Sequence, residues 1–490
     1  MGKRYLKAFA SGLLLVTGIS AAVPAAPLMA AETAREQHRV IVLTDMEADP
    51  DDTQSLIRLL LYANEIDIRA LVATTSVWRK SDIRPDSIER TINKYGEVHD
   101  TLKQHAPGYP TERHLLSLVL DGQPGYGMES VGEGQDTEGS NVIIRELEKD
   151  DDRPLWISVW GGANTLAQAL HTIRETRGAG EAAEMISKLR VYTISDQDDS
   201  GIWLRREFPD LFYIVSPGDY GRSTWVAING PKKDFDIYGT NQWLAENIQQ
   251  DHGPLGAHYP DTVWGMEGDT PAFLSLIPNG LNTPDHPDWG GWGGRYELYT
   301  PGAEEIGAGD GTTGPGGVPL EPEPRPIWTD TQDTYTPWEP KSGGRAIGPG
   351  EETYTGNDMT LLRWKNDFQL DFAARMDWTV MDYEEANHPP EVVLAHDNRL
   401  TVKSGGWVSL NAFGTSDPDG DSLSYHWFEY PEAGTLDEPV ELGHAVNDYD
   451  VGVRMPQVEK TETAHFIVRV TDKGEPPLSR YERVIVTIEP

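Results

Sequence analysis

Between residues 38 and 300 apolar runs alternate with stretches of helical spacing. Val40-Ile41-Val42-Leu43 contains no polar residue, the mark of a strand buried on both faces. Thr53 to Tyr62 follows, with Leu56, Leu59 and Leu60 at helical spacing, and Ile66 to Ala73 then reads as a second strand. Together they make a βαβ unit. Leu155 to Trp160, Leu189 to Ile194 and Leu211 to Val215 are further strand candidates, and Leu166 to Ile173 a further helix. The alternation predicts an α/β fold, a mostly parallel open sheet with helices on both faces.

The pattern lapses at Pro301. From 301 to 356 Gly, Pro, Glu and Thr dominate, which predicts a long irregular excursion. Helical character returns over Leu361 to Trp378, where Trp364, Phe368, Phe372 and Met376 recur every fourth position as a core-packing stripe. Asn387-His388-Pro389-Pro390 reads as a linker. Beyond it, Leu400 to Val402, Trp407 to Leu410, Ser424 to Phe428, His465 to Val470 and Val484 to Ile488 predict the short strands of an immunoglobulin-like sandwich. Ser416-Asp417-Pro418-Asp419-Gly420-Asp421 admits two readings, a plain turn or a calcium-stapled loop.

The N-terminus is of another kind. Lys3, Arg4 and Lys7 precede an apolar stretch from Ala8 to Val23 and a small-residue region from Ala25 to Ala31. This predicts a secretory signal peptide over 1–31, and hence a secreted or periplasmic protein with no membrane span after cleavage. The expected layout is the signal peptide, an α/β domain over 36–386 containing the 301–356 excursion, and an all-β domain over 387–490. A net charge of -38 disfavours nucleic acid and anionic lipid as partners. The absence of cysteine excludes disulfides, thiolate nucleophiles and cysteine-bound metals.

Candidate chemistry concentrates where the first strand ends. Asp45, Glu47, Asp49, Asp51 and Asp52 put five carboxylates into eight positions. In open α/β sheets ligands bind at the carboxyl ends of strands, and acids crowded there repel each other unless a hard cation lies among them. A helix start favoured by the macrodipole accounts for one or two acids but not five. Asp196, Asp198 and Asp199 follow another strand and should open on the same sheet edge, or form a solvated turn. Trp289, Trp292 and Arg295 occupy a Gly-rich loop that suits either a carbohydrate platform or scaffold packing.

The acidic loop resembles the N-terminal signature of nucleoside hydrolases, in which a strand ends in Asp-Thr-Asp and an Asp-Asp pair follows. In that family the acids bind calcium, hold sugar hydroxyls and activate a water against the anomeric carbon. Aligned on the strand end, the resemblance makes Asp45 a metal ligand and the catalytic base, Asp52 a metal ligand, and Asp51 a sugar-hydroxyl acceptor. Aligned without a gap, Glu47 takes the place of the catalytic aspartate. Trp160-Gly161-Gly162-Ala163-Asn164 resembles the family segment whose backbone carbonyl completes the metal shell, which maps to Asn164. Asp269 stands where the family places a late aspartate ligand, with Glu267 as a rival ligand or second acid and helix capping as the plain alternative.

Segments along the whole mature chain are similar to a narrower group, secreted nucleoside-hydrolase-like proteins of the cellulose-binding type. They include Thr193 to Asp199, Met266 to Pro271, Trp289 to Arg295 and Asp371 to Met376. The resemblance implies a calcium (Ca2+) site and hydrolysis of an N- or O-glycosyl bond. The implied partner is a carbohydrate or nucleoside-like substrate, or cellulose or another polysaccharide. A non-catalytic polysaccharide-binding protein is the alternative from another class. Glu267-Gly268-Asp269 replaces the His-Asp dipeptide of true nucleoside hydrolases, and their Asn-rich ribose segment has no clear equivalent here. Both departures count against a nucleoside substrate.

Overall fold

The computed structural model describes residues 37–490 except 219, 230–234, 236, 308–312, 341–346 and 443–444. The expected signal peptide over 1–31 lies outside the described residues. Among those residues no helix is long and apolar enough to cross a membrane.

The first half is built on one eight-stranded sheet. Its strands are β1 (His38–Thr44), β2 (Ile66–Ala73), β3 (Val119–Asp121), β4 (Leu155–Val159), β5 (Leu189–Thr193), β6 (Phe212–Val215), β7 (Tyr296–Tyr299) and β8 (Ile327–Asp330). They lie in the order β3-β2-β1-β4-β5-β6-β8-β7, parallel throughout except for the β7–β8 pair. β1 is buried from Arg39 to Thr44, as its unbroken apolar run requires of a central strand.

Helices cover both faces of the sheet. α1 (Asp51–Leu61) packs Leu56, Leu59 and Leu60 onto the face carrying Val40 and Val42. α2 (Pro85–Gly96) lies against α1. α3 (Asn164–Thr176) places Leu166, Ala167 and Leu170 on the opposite face, with Ile41 and Leu43. The expected stripe Trp364, Phe368, Phe372 and Met376 is buried in the first core, its last three members on α4 (Lys365–Asp377).

The 301–356 excursion is a correction. Ile327 to Asp330 is not irregular: it enters the main sheet as β8, between β6 and β7. Four residues amid Pro and Glu carry too short a pattern to be read as a strand. Glu323, from the same stretch, is pinned to the body by Arg205 at 2.6 Å.

The second half has two sheets around one core. β9 (Arg399–Lys403), β11 (Ser424–Glu429), β13 (Glu462–Thr471) and β14 (Ser479–Glu489) form the first, in the order β9-β14-β13-β11. β10 (Trp407–Asn411) and β12 (Asp450–Arg454) form the second. Val408, Leu410, Val451 and Val453 from one sheet meet Trp427, Phe466, Val468, Val484 and Val486 from the other.

The expected linker is a buried joint. The Asn387 Nδ2 donates to Asp472 Oδ1 at 3.1 Å and to the Pro476 carbonyl at 2.8 Å. The His388 ring stacks at 4.0 Å on Tyr383 and at 5.1 Å on Trp378. Residues from 37 to 490 form one compact unit. At Gly280 a Cβ would fall 1.8 Å from the Tyr481 carbonyl oxygen, so the two halves meet there backbone to backbone.

Candidate metal-binding pocket

β1 and β4 are neighbours, but the chain leaves them in opposite directions. After β1 it builds β2 and β3 on one flank, and after β4 it builds β5 and β6 on the other. The loops that follow diverge and open a crevice at the carboxyl edge, the switch point of an open α/β sheet. Gly161 lets the two loops close on each other, since a Cβ there would sit 2.7 Å from Asp45 Oδ1.

α1 starts at this edge and presents Asp51 and Asp52 in its first turn, where carboxylates suit the helix dipole. Asp51, Asp52 and Asp269 each place a carboxylate oxygen within 4.8 Å of the other two. Asp269 arrives from a distant loop that is tied to α1 from below. Arg58 Nε meets Glu267 Oε2 at 2.5 Å with both side chains fully buried. Glu267 also accepts from the Tyr259 hydroxyl at 2.6 Å and the Thr270 hydroxyl at 2.9 Å. One helix thus fixes both sides of the cluster.

Burial dominates the electrostatics. It raises the Asp45 carboxyl to about 7, with Asp49 adding to the rise while Ser76 and Arg79 oppose it. Burial also pushes Asp51, Asp52 and Asp269 well above the carboxylate range, and each is raised further by neighbouring acids. Asp45 Oδ2 and Asp269 Oδ2 are buried without a hydrogen-bond partner. Crowded, desolvated and unpaired oxygens are the environment that a hard divalent cation relieves. The donor set fits such an ion.

These acids face a cavity of about 630 Å³. Asp45, Asp49, Asp51, Asp52 and Asp269 line it together with Gln197, Trp78, Trp160, Tyr220, Trp225 and Trp264. Trp78 is 51% exposed and Trp264 87% exposed. Sequence reasoning passed over these aromatic residues and Gln197. An indole held in solvent, unexplained by any core, is the signal that marks Trp78 and Trp264, and it needs the structure to be seen; Trp160 and Trp225 are buried in the core and carry no such mark.

Other expected site residues go elsewhere. Glu47 adopts a positive φ of 67° and turns its carboxylate to Arg84, Arg90 and Ser87, away from the cavity, which corrects its candidacy as base. The Asn164 side chain is held by Thr74, Thr75 and the Gly125 carbonyl, which leaves the expected role of its backbone carbonyl untouched, and the residue is not among those lining the cavity. Asp196 is bidentate to Arg205 at 2.7 and 2.8 Å, a buried structural pair and no sugar grip. Asp199 accepts from the Met128 amide at 2.8 Å. Asp198 accepts from the Ser200 amide at 2.9 Å and keeps Oδ2 buried and unpartnered, its carboxyl raised by burial to about 6, behind Gly162 rather than in the cavity. Glu267 is the buried partner of Arg58 and no ligand.

Of the two readings open for the Trp-Gly loop, its contacts are those of scaffold packing. Trp292 is fully buried and donates to the Tyr481 hydroxyl at 3.3 Å. Arg295 is buried against Asp333 at 2.7 Å. Trp289 stacks on His286 at 3.8 Å and meets His465 edge-on at 5.0 Å. Arg483 donates to the Gly290 carbonyl at 2.8 Å. The loop's contacts make it a gasket between the two halves.

Comparison with known proteins bears on the same two halves. The family model of the cellulose-binding protein Sde182, nucleoside hydrolase-like domain, matches residues 39–296. That of the cellulose-binding protein Sde0182, C-terminal domain, matches residues 407–488. A nucleoside hydrolase-related hypothetical protein from Saccharophagus degradans, associated with carbohydrate metabolism, is 36% identical. It covers 93% of this chain and 100% of its own, with a TM-score of 0.76. The PKD domain of KIAA 1837 protein (24% identity, 20% of this chain, 86% of its own, TM-score 0.16) is also similar. So is the type III effector XopQ complexed with adenosine diphosphate ribose (11% identity, 71% of this chain, 95% of its own, TM-score 0.33). With scores that low, neither carries an argument. No curated protein matches the chain.

Proposed function

Since the chain belongs to the cellulose-binding Sde182 family, with its nucleoside hydrolase-like domain and its own C-terminal domain, we propose that it is a calcium-dependent hydrolase of a glycosidic bond in a carbohydrate-type substrate. The observation that carries this reading is the triple of Asp51, Asp52 and Asp269 beside Asp45 at the sheet's switch point. Asp51, Asp52 and Asp269 would hold the ion, so Asp51 joins the ligands rather than serving only as a sugar-hydroxyl acceptor. A bound divalent cation would supply Lewis-acid activation of water and charge stabilisation.

Asp45 has the burial and the unpartnered Oδ2 of a base that accepts a proton from water near neutral pH. Asp49 and Gln197, both on the cavity wall, offer an acceptor and an amide to sugar hydroxyls. Trp78 and Trp264 offer apolar faces on which sugar rings stack. The N-terminal signal pattern supports a site of action that is secreted or periplasmic.

Non-catalytic polysaccharide binding is the second reading, favoured by the exposure of Trp264 and by the family's cellulose-binding name. One assay separates the two. The purified chain, with calcium or with chelator, is incubated with nucleosides, cello-oligosaccharides and other glycans, and both sugar release and binding are measured. Calcium-dependent release that Asp45→Asn loses supports the hydrolase. Retention on cellulose with no release from any substrate leaves the binding protein.

A further inference from the structure

A second cavity, of about 1000 Å³, adjoins the acidic pocket and takes no part in the metal cluster. Its walls include Tyr220 and Val226 from the segment after β6, Thr329 to Gln332 at the end of β8, and Asn357 and Asp358. β6 and β8 are parallel neighbours, so their carboxyl ends open on the same sheet edge as those of β1 and β4.

The two cavities share a wall, because Tyr220 and Val226 line both. The Tyr220 hydroxyl accepts from Trp78 Nε1 at 3.3 Å, and its ring meets Trp225 edge-on at 4.9 Å. Trp78 and Trp225 line the acidic pocket, so a run of aromatic side chains leads from that pocket to the divide. Asp330 anchors the divide on either side of Tyr220: its Oδ1 accepts from the Ser216 hydroxyl at 2.8 Å and from the Thr224 amide at 2.9 Å. The Thr224 hydroxyl donates in turn to the Asn357 carbonyl at 3.3 Å.

The polar lining of the second cavity is made of hydroxyls, amides and carboxylates, with Thr331 and Gln332 beside Glu297, Glu305 and Asp358. Glu297 meets Arg295 at 3.0 Å, and Glu305 accepts from the Gly302 amide at 2.7 Å. Among the described residues, no lysine or arginine lines either cavity. Such walls accept hydrogen bonds from hydroxyls and repel uronates, sulfates and phosphates.

We infer, resting on the sugar site proposed above, that the second cavity receives the continuation of a neutral oligosaccharide whose end lies at the metal cluster. Tyr220 is the step over which the chain passes. A cavity for a small ligand ordinarily measures about 300–1,000 Å³, and the acidic pocket, at about 630 Å³, already meets that need. The adjoining space of about 1000 Å³ exceeds what a nucleoside or a single sugar requires. Ring faces at Trp78 and Tyr220 suit stacking on sugars, and the acceptors beyond them suit hydroxyls.

The dependence of affinity on chain length tests this. The full chain carrying Asp45→Asn, so that turnover does not consume the probe, is titrated by calorimetry in calcium. The probes are cello-, xylo- and manno-oligosaccharides from disaccharide to hexasaccharide, oligogalacturonates of matching length, and adenosine. At least one neutral series should tighten by about tenfold or more from shortest to longest, as a few hydrogen bonds of ordinary net worth would give. Thr331→Ala combined with Gln332→Ala, both at least partly exposed, should cut that gain several-fold while calcium binding and the melting temperature hold. Oligogalacturonates should bind about tenfold more weakly than the neutral series, or not at all. A neutral series that binds equally at every length, or a gain that survives the double variant, overturns the second compartment and leaves the sugar site standing. Oligogalacturonates that bind as tightly as neutral chains overturn it too. Adenosine bound with no oligosaccharide bound, or no probe bound at all, removes the sugar site and the second compartment together.

Discussion

The acidic loop at 45–52 and the Trp-Gly loop at 289–295 are made of similar parts. Both are rich in turn-forming residues, both bring charge to a sheet edge or its neighbourhood, and both have aromatic residues nearby. In the first, the carboxylates of Asp45, Asp51, Asp52 and Asp269 face one another across a cavity, with two oxygens lacking any partner. In the second, the buried groups are paired with the rest of the molecule: Arg295 with Asp333, Trp292 with Tyr481, and the Gly290 carbonyl with Arg483. Residue type shows what a loop can bind. Whether its polar atoms are already satisfied shows whether it does.

The sharpest way to break this contrast is to treat each loop as if it had the other's role. Asp45→Asn should lower turnover by about 10²–10⁴, the usual worth of a general base, with the melting temperature held or raised. Equal turnover in the purified variant would remove Asp45 from the chemistry. Arg295→Met should do the reverse, costing about 1.5–3 kcal/mol of stability by removing one buried partner of Asp333, which keeps Arg363 and the Tyr430 hydroxyl, as read by urea unfolding. If that variant folded as the parent does yet lost sugar binding, the gasket would be a site after all.

Acid should act on the second half first. Burial lowers His465 and His426 to about 3, and His465 is also disfavoured as a cation by Arg483. Between about 3 and 6.5 the unfolded chain therefore binds more protons than the folded one, so stability falls as pH drops through that window. Each histidine contributes at most about 1.4 kcal/mol per pH unit. His465→Gln should flatten the slope measured by thermal melts from pH 7 to pH 4, and an unaltered slope would mean that other groups set it. The smallest effect belongs to Trp264→Ala. It should change stability by under about 0.5 kcal/mol, since the side chain is mostly in solvent, while weakening the retention of soluble oligosaccharides several-fold.

Much of the fold was legible because it rests on local periodicity. β1, β2, β4, β5 and β6 follow from apolar runs, and α1 and α3 from spacing. β12 went unread because Val451 and Val453 alone carry its alternation, between charged Asp450 and Arg454. β8 went unread because its partners β6 and β7 are not local to it. In the site, the acidic crowd was visible since all but Asp269 come from one segment. Glu267 was misread because its partner Arg58 lies 209 positions away, and Arg295 because its partner Asp333 lies within the stretch expected to be irregular. Pairing at such distances leaves no trace in spacing.

The tie between Arg58 and Glu267 has a consequence for which ion the first pocket accepts. α1 carries Asp51 and Asp52 at its start and, two turns on, the guanidinium that anchors the loop bearing Asp269. The gap between the ligands is therefore gauged by a helix and a fully buried clamp, which on the calcium reading proposed above would keep a small ion from drawing it tight. Magnesium asks for oxygens at about 2.0–2.1 Å and near-ideal octahedral order, whereas calcium accepts about 2.3–2.6 Å and irregular shells. Size selection in this protein would then be decided by the core beneath the pocket, and loosening that clamp should erode the preference for the larger ion before it erodes binding itself.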